Sequence, residues 1–238
     1  MKRSIHSTPA IANVAAADCL TNWLTLPATR NVMVAAGNTP LELYRLTAEK
    51  RSSLAHLRVF VLDEYVGVPL DEPRSCANLL RRCVAEAWRI PPGLFHTVSS
   101  LERNAVASVE AHERLITEVG GLDVVILGLG QNGHLGFNEP GGSQDSMGRL
   151  VNLETISVEA NRKWFEGDFA PAKGVTVGIK TILSARRVLV LAYGAHKTAA
   201  VKAMVEGPRG PHCPASFLQG HPNVEVFLDA LAAAWLSK

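Results

Sequence analysis

The sequence lacks several features that would identify a class of protein at once. Its 238 residues contain four cysteines, Cys19, Cys76, Cys83 and Cys213, and none of them forms a C-x-x-C pair. This scatter argues against a zinc site or a disulfide framework and favours a reducing cytoplasm. No apolar run reaches the roughly 20 residues that a membrane span needs, so we expect no membrane partner.

The charge balance and the missing motifs exclude further classes. Against 24 Lys and Arg stand 22 Asp and Glu, a formal net charge of +2, which gives no basic surface for nucleic acid. The eight histidines show no metal-ligand spacing such as H-E-x-x-H, so we expect no metal. The Walker spacing and the dinucleotide glycine fingerprint are missing too, and neither ATP nor NAD is expected as a cofactor.

What the sequence does contain is an alternation of strand and helix patterns. Short apolar runs typical of strands buried in a parallel sheet lie at 31–36, 58–62, 124–129, 188–193 and 224–228. Helical patterns lie at 8–24, 75–89, 104–119, 156–165, 196–205 and 228–236. The alternation predicts an α/β fold with an open, mostly parallel, Rossmann-like sheet and helices on both faces. We expect a single domain spanning residues 1–238.

Two of the predicted strands end in short polar segments that could carry chemistry. The segment 37–39 (GNT) precedes a helix, for which Thr39 is the predicted N-cap and Pro40 the first residue. A glycine at a helix N-terminus suits a phosphate group, but capping alone explains the segment equally well. Asp63 and Glu64 follow the next strand, and either could act as a general base. Such a pair more often caps a helix or lies in a surface turn.

The third strand end is the busiest, because four polar side chains follow it within eight positions: Asn132, His134, Asn138 and Glu139. Histidine transfers protons near neutral pH, and a nearby carboxylate can fix its tautomer. A structural turn would not require this set, so a function is favoured. Lys197 follows a fourth strand and could contact a phosphate, although a solvated surface lysine is the more frequent case. These strand ends should meet at one edge of the sheet.

Two motifs resemble a known family when they occur together. LDEYVG at 62–67 and LGLGQNGHLGFNEPG at 127–141 resemble the glucosamine-6-phosphate deaminase and galactosamine-6-phosphate isomerase family. The likeness extends over nearly the whole chain, since four further segments appear in order: GNTP at 37–40, EAN at 159–161, TVGIKTIL at 176–183 and PASFLQGH at 214–221.

The resemblance implies a reaction without a cofactor. A 2-amino-2-deoxyhexose 6-phosphate opens its ring, moves a proton between C2 and C1, and releases ammonia to leave a ketose 6-phosphate. By resemblance, Asp63 is the base and His134 assists ring opening, with Glu139 and Asn132 orienting it. Many family members carry Asp at position 132, so only amide hydrogen bonding remains here. The implied phosphate ligands are Gly37, Asn38, Thr39 and Lys197.

The chain departs from the family pattern at several positions. The family's Ser-Arg-Thr segment reads Ser-Met-Gly at 146–148, and a lysine of the allosteric site falls on Val151. An arginine that binds the substrate phosphate falls on Lys163, which loses bidentate geometry, whereas Arg149 is retained as a binding residue. We therefore expect weak or absent allosteric activation and a monomer or small homo-oligomer. The polar segment 142–170 is predicted to include a lid.

We expect a cytoplasmic protein whose partner is a small molecule, and three alternatives to the glucosamine-6-phosphate deaminase stay open. The first is a galactosamine-6-phosphate isomerase/deaminase that gives tagatose 6-phosphate. The second is a 6-phosphogluconolactonase-type hydrolase, whose related fold also has a G-H pair in this loop. The third is a regulator that binds a sugar phosphate without turning it over. The D-E-Y and F-N-E-P-G patterns resemble the deaminases rather than the lactonases, and the predicted substrate is glucosamine 6-phosphate.

Overall fold

Seven parallel strands form the central sheet of the computed structural model, which describes residues 1–50 and 52–237. The strands are β1 (Lys2–His6), β2 (Asn31–Val34), β3 (Arg58–Val61), β5 (Phe95–His96), β6 (Val124–Gly128), β9 (Arg187–Ala192) and β10 (Val224–Asp229). Their order in the sheet is β1-β10-β9-β6-β2-β3-β5. All of their pairings are parallel, which confirms the predicted α/β fold.

Helices cover both faces of this sheet. They are α1 (Pro9–Leu24), α2 (Asn38–Glu49), α3 (Cys76–Leu80), α4 (Glu102–Glu118), α5 (Thr155–Trp164), α6 (Ile179–Leu183) and α7 (Thr198–Val205). Alternate side chains of the strands enter two separate cores: Val32 and Val34 pack with α1 and α2, and Met33 packs with α4. In the part of the chain that the structure describes, no helix is long and apolar enough to cross a membrane.

A second, antiparallel sheet lies at the carboxyl edge of the first. It contains β4 (Asp63–Tyr65), β8 (Lys173–Thr176) and β7 (Arg149–Asn152) in the order β4-β8-β7. The chain leaves β3 and enters β4 after the single residue Leu62, and Asp63 then pairs with Thr176. The predicted polar loop at 62–65 is therefore a short strand, and its backbone pairing fixes the position of the two carboxylates.

The structure corrects several local predictions. Helix α2 begins at Asn38 with Gly37 as its N-cap, so Thr39 lies inside the first turn and does not cap the helix. Gly37 takes this position because its φ of 96° is open mainly to glycine. The helix predicted over 75–89 is α3 followed by a π-helix, Arg81–Glu86. Strand β1 was not predicted, because its mostly exposed residues carry little apolar pattern.

The helix predicted over 228–236 is also wrong. Strand β10 continues to Asp229, and residues 230–235 form turns. The side chain of Asp229 accepts hydrogen bonds from the backbone N–H groups of Gly194 and Ala232, each at 2.9 Å. These bonds bend the chain just after the strand. Ala232 and Ala233 still reach the core, so the apolar pattern is satisfied without a helix.

Candidate active site

A cavity of about 290 Å³ opens where β2, β3, β6 and β9 end. Strands β2 and β6 are neighbours, and the chain proceeds outward in opposite directions from them, through β3 and β5 on one side and β9 and β10 on the other. Open α/β sheets bind ligands at such a switch point. Residues 37–39 line this cavity together with Asp63, His134 and Lys197. The strand ends predicted to converge therefore do so.

Asp63 is a buried carboxylate in the wall of the cavity, with only 4% of its surface exposed. Burial and the neighbouring charge of Glu64 raise its pKa to about 7, although hydrogen bonds from the Cys76 thiol and the Phe137 backbone act in the opposite direction. A methyl group at Gly136 would lie 2.6 Å from Asp63 Oδ2, so the backbone presses against this carboxylate. Asp63 thus has the basicity of a general base for neutral pH.

Glu64 has a different environment and a different role. Its Oε1 accepts hydrogen bonds from the N–H groups of Tyr65 at 2.8 Å and Cys76 at 3.0 Å, and its Oε2 accepts one from Ala77 at 2.8 Å. These bonds hold the start of α3 against β4. Because Glu64 does not line the cavity and Asp63 does, the geometry selects Asp63 from the two carboxylates left open by the sequence.

His134 projects from a tight loop that begins at the end of β6. Leu129 and Leu135 form a β-bridge, and Gly130 N–H donates to the His134 carbonyl at 3.0 Å. The imidazole lies directly over Gly130, where an added Cβ would be 2.3 Å from the ring carbons. Glycine is required at position 130 because of this close approach. The loop thereby directs the ring into the cavity.

The carboxylate of Glu139 lies beside the Nδ1 side of the His134 ring and contacts three side chains. Its Oε2 is 3.3 Å from His134 Nδ1, an ion-pair distance rather than a well-aligned hydrogen bond. Asn132 donates to the same oxygen at 2.8 Å, and Ser157 donates to Oε1. Burial disfavours the charge of Glu139, but His134, Ser157 and Asn132 outweigh it and lower the pKa to about 2. Glu139 is therefore a carboxylate throughout the neutral range.

Asn132 also bonds to the histidine backbone. Its Oδ1 accepts a hydrogen bond from His134 N–H at 3.2 Å, while its Nδ2 donates to Glu139. The amide thus uses both of its ends to fix the loop. An asparagine can make this pair of contacts because it has a donor and an acceptor, whereas a carboxylate would place a second negative charge beside Glu139.

The opposite end of the cavity is suited to an anion. Gly37, with φ 96°, opens helix α2, and Gly194, with φ 86°, opens the 3₁₀ turn Ala195–Lys197. Burial lowers the pKa of Lys197 to about 8. Within residues 1–50 and 52–237, no carboxylate forms a salt bridge with Lys197. A half-buried cation without a counter-charge beside free helical N–H groups favours a phosphate there.

Two of the predicted binding residues do not reach the cavity. Lys163 is exposed on α5, because the face of that helix toward the cavity carries Ala160 and Trp164 instead. Arg149 lies in β7, where it donates to Asn138 Oδ1 at 2.9 Å and to the Met147 carbonyl at 3.3 Å. These contacts hold its guanidinium against the loop, and neither Arg149 nor Lys163 lines the cavity.

Sequence reasoning missed several residues that line the cavity. They come from α5, the start of α3 and the loop after β9: Ser157, Asn161, Trp164, Cys76 and His196. The spacing of three to four residues between positions 157, 161 and 164 is the signal of one helix face. The signal is weak because the side chains on that face are not uniformly apolar.

The chain is similar in sequence to a known family of proteins. The sequence model of the family described as glucosamine-6-phosphate isomerases/6-phosphogluconolactonase matches residues 9–227. A glucosamine-6-phosphate deaminase of Cutibacterium acnes is 43% identical over 209 residues, which cover 86% of this chain and 80% of that protein. One of Corynebacterium aurimucosum is 38% identical over 241 residues, covering 99% and 94%.

Solved structures extend the comparison to the fold. A monomeric glucosamine-6-phosphate deaminase superposes with a TM-score of 0.93 at 31% identity, over 98% of this chain and 99% of that one. The 6-phosphogluconolactonase of Trypanosoma brucei superposes with a TM-score of 0.79 at 24% identity, over 99% and 98% of the two chains. The second likeness supports the shared fold and carries no information about the reaction.

Proposed function

Because the chain belongs to the family of glucosamine-6-phosphate isomerases and 6-phosphogluconolactonases, we propose that it converts glucosamine 6-phosphate to fructose 6-phosphate and ammonia. One observation carries the proposal: Asp63, with a pKa of about 7, and His134, with Glu139 beside its ring, reach the same cavity from the ends of different strands. An aldose–ketose isomerase needs a base at the sugar carbons and a second proton-transfer group at the ring oxygen.

The proposed reaction begins with ring opening. His134 delivers a proton to the ring oxygen as the C1–O5 bond breaks, and the C1 hydroxyl releases its proton to water to form the open aldehyde. Asp63 then removes the proton from C2 while the C1 carbonyl oxygen takes up a proton from water, which yields an enolamine. Asp63 returns the C2 proton to C1. The resulting imine at C2 adds water and releases ammonia, leaving the ketose. Glu139, which stays ionised, stabilises the protonated imidazole during the first step.

The two ends of the cavity support this substrate class. In the proposed complex the phosphate binds at Lys197 and the N–H groups of residues 37–39, and the sugar carbons lie at Asp63. The relatives named as glucosamine-6-phosphate deaminases support the glucosamine epimer over galactosamine. A direct test supplies glucosamine 6-phosphate, galactosamine 6-phosphate and 6-phosphogluconolactone separately, and measures ammonia release and lactone hydrolysis.

The expected result of this test is ammonia release, fastest from glucosamine 6-phosphate. Faster release from galactosamine 6-phosphate would reassign the epimer and the ketose product to tagatose 6-phosphate. Hydrolysis of the lactone without ammonia would replace the proposal with a hydrolase. Binding of the sugar phosphates with no turnover of any of the three would favour a regulator.

Replacing Lys197 by methionine should raise KM for glucosamine 6-phosphate about 100-fold, because a desolvated cation that faces the phosphate is lost. The kcat/KM ratio between glucosamine 6-phosphate and unphosphorylated glucosamine should shrink by a similar factor. Initial rates over a range of substrate concentrations provide both values. Lys202→Met is the matched control, since Lys202 is exposed on α7 and does not line the cavity.

We also propose a monomer that works without an allosteric activator. Val151 pairs with Gly174 between β7 and β8 and offers no positive charge for an anionic effector, and a similar deaminase structure is monomeric. Initial rates should follow a hyperbola, unchanged by an added amino-sugar phosphate effector, and light scattering should give the mass of one chain. A sigmoidal, effector-sensitive curve would contradict this.

The four free cysteines support a reducing, cytoplasmic setting.

A further inference from the structure

We propose that Ser157 is the positioning residue through which helix α5 sets the orientation of Glu139 and thereby of His134. The inference rests on the proposed function, because it gives His134 the ring-opening step. It assigns to α5 a task beyond covering the cavity: the helix that forms a wall around the sugar also holds the carboxylate behind the catalytic imidazole.

The contacts divide the two oxygens of Glu139 between two parts of the molecule. Oε2 receives Asn132 Nδ2 at 2.8 Å and lies 3.3 Å from His134 Nδ1, both within the loop after β6. Oε1 receives the hydroxyl of Ser157, which lies 18 positions further along the chain. Glu139 and Ser157 are 8% and 6% exposed. With a donor on each oxygen, rotation of the carboxylate about its last bond would break a buried, charge-assisted bond.

Helix α5 presents one face to the cavity. Ser157, Ala160, Asn161 and Trp164 all line it, at spacings of three, four and seven residues that share a helix face. The far end of α5 is fixed elsewhere: Asn161 Nδ2 donates to the Pro171 carbonyl at 3.0 Å and Trp164 Nε1 donates to the Arg74 carbonyl at 2.9 Å. The Ser157 hydroxyl thus donates the hydrogen bond that joins α5 to Glu139 in the loop after β6.

This connection couples two parts of the site. While Ser157 donates to Oε1, Glu139 keeps its position beside His134 Nδ1, and the imidazole stays in register with the substrate. Without that donor, Glu139 is free to rotate away from His134.

The Ser157→Ala variant should lower kcat about tenfold, which corresponds to about 1.4 kcal/mol, with KM changed less than about threefold. The phosphate site around Lys197 is untouched, which explains the split between the two parameters. Ser157→Thr retains the hydroxyl and should recover most of kcat. Thr155→Ala removes an exposed hydroxyl from the same helix and should leave the kinetics unchanged. Equal melting temperatures for these variants would exclude a folding defect.

A double substitution separates positioning from a general structural role. In a Glu139→Gln background, Ser157→Ala should change kcat less than about twofold, because the group through which it acts has already been altered. An undiminished tenfold fall in that background would overturn the proposal.

Crystal structures supply a test that does not depend on turnover. In Ser157→Ala, the separation of Glu139 Oε2 and His134 Nδ1 should increase from 3.3 Å. An unchanged carboxylate would overturn the positioning role. If the wild-type protein released no ammonia, the proposed function would fail, and this comparison would still decide whether Ser157 orients Glu139.

Discussion

The Asp63→Asn variant is expected to lose about 100- to 10,000-fold in deaminase turnover, the range that a well-placed general base contributes. The amide keeps the size and shape of the side chain but cannot accept the C2 proton. Affinity for glucosamine 6-phosphate should remain within a few-fold, because Lys197 and residues 37–39 hold the phosphate at another part of the cavity. Ammonia release measures the first quantity and calorimetric titration the second. Full activity in this variant would reject Asp63 as the base.

The pH dependence of kcat/KM in the wild-type enzyme should also reflect the role of Asp63 as the base. Asp63 must be ionised to act, and its pKa is about 7, so kcat/KM should rise as the pH passes upward through about 7. Lys197 must be protonated to hold the phosphate, and its pKa is about 8, so kcat/KM should fall at higher pH. A narrow bell is expected, since kcat/KM reports the free enzyme. An acidic limb near pH 4 would contradict the assignment to Asp63.

Loss of activity in Asp63→Asn should be accompanied by a gain in stability at alkaline pH. The folded protein raises the pKa of Asp63 from 3.8 to about 7, whereas the unfolded chain releases the proton near pH 4. The folded state therefore binds more protons between these limits, and the free energy of unfolding decreases as the pH rises from 4 to 7. Removing the charge should restore on the order of 1–4 kcal/mol at pH 8.

The gain should largely disappear at about pH 3, which lies below the pKa of Asp63 in both states. Urea denaturation at pH 3 and pH 8 would measure it. Asp71→Asn, which alters an exposed carboxylate, is the matched control and should shift neither midpoint appreciably. If the wild-type protein were as stable as Asp63→Asn at pH 8, the folded environment would not destabilise the ionised carboxylate of Asp63.

The parts of the site that are local in the chain can be predicted from the sequence. An apolar run followed at once by polar residues marks a strand and its carboxyl end, and this pattern alone identifies the pair Asp63 and Glu64, His134, and Lys197 as candidates. The parallel pairing then brings them together without further information, since such ends share an edge. The Glu139–Asn132 contact is predictable for the same reason, because both residues belong to one short loop.

Features of the site that depend on tertiary packing cannot be predicted from local sequence patterns. Two adjacent carboxylates look alike as letters, and only the three backbone N–H groups around Glu64 and the cavity beside Asp63 distinguish them. An ungapped match to the family pattern assigns Lys163 to the phosphate, but the rotation of α5 leaves it exposed. Ser157 bonds to a residue 18 positions earlier, a contact that no local pattern encodes.

Replacing Gly130 by alanine should reduce turnover at least about 100-fold, the loss expected when an acid–base group is displaced. An added Cβ would lie 2.3 Å from Cγ and Cδ2 and 2.4 Å from Nε2 of His134, far inside van der Waals contact. The imidazole must therefore move away from the backbone, and its separation from Glu139 must change with it. KM should change little, because the phosphate site is not involved.

A second substitution can test whether the His134 ring is the group that clashes with the added methyl group at position 130. In a His134→Ala background the ring is gone and the methyl group has space, so Gly130→Ala should cause little further loss of activity or stability. Gly93→Ala is the matched control, since its added Cβ would meet no atom within 4 Å. If Gly130→Ala were as damaging without the histidine ring as with it, the backbone of the loop itself would be at fault. Because the ring lies against Gly130, we expect the effects of Gly130→Ala and His134→Ala on activity and stability to be strongly non-additive.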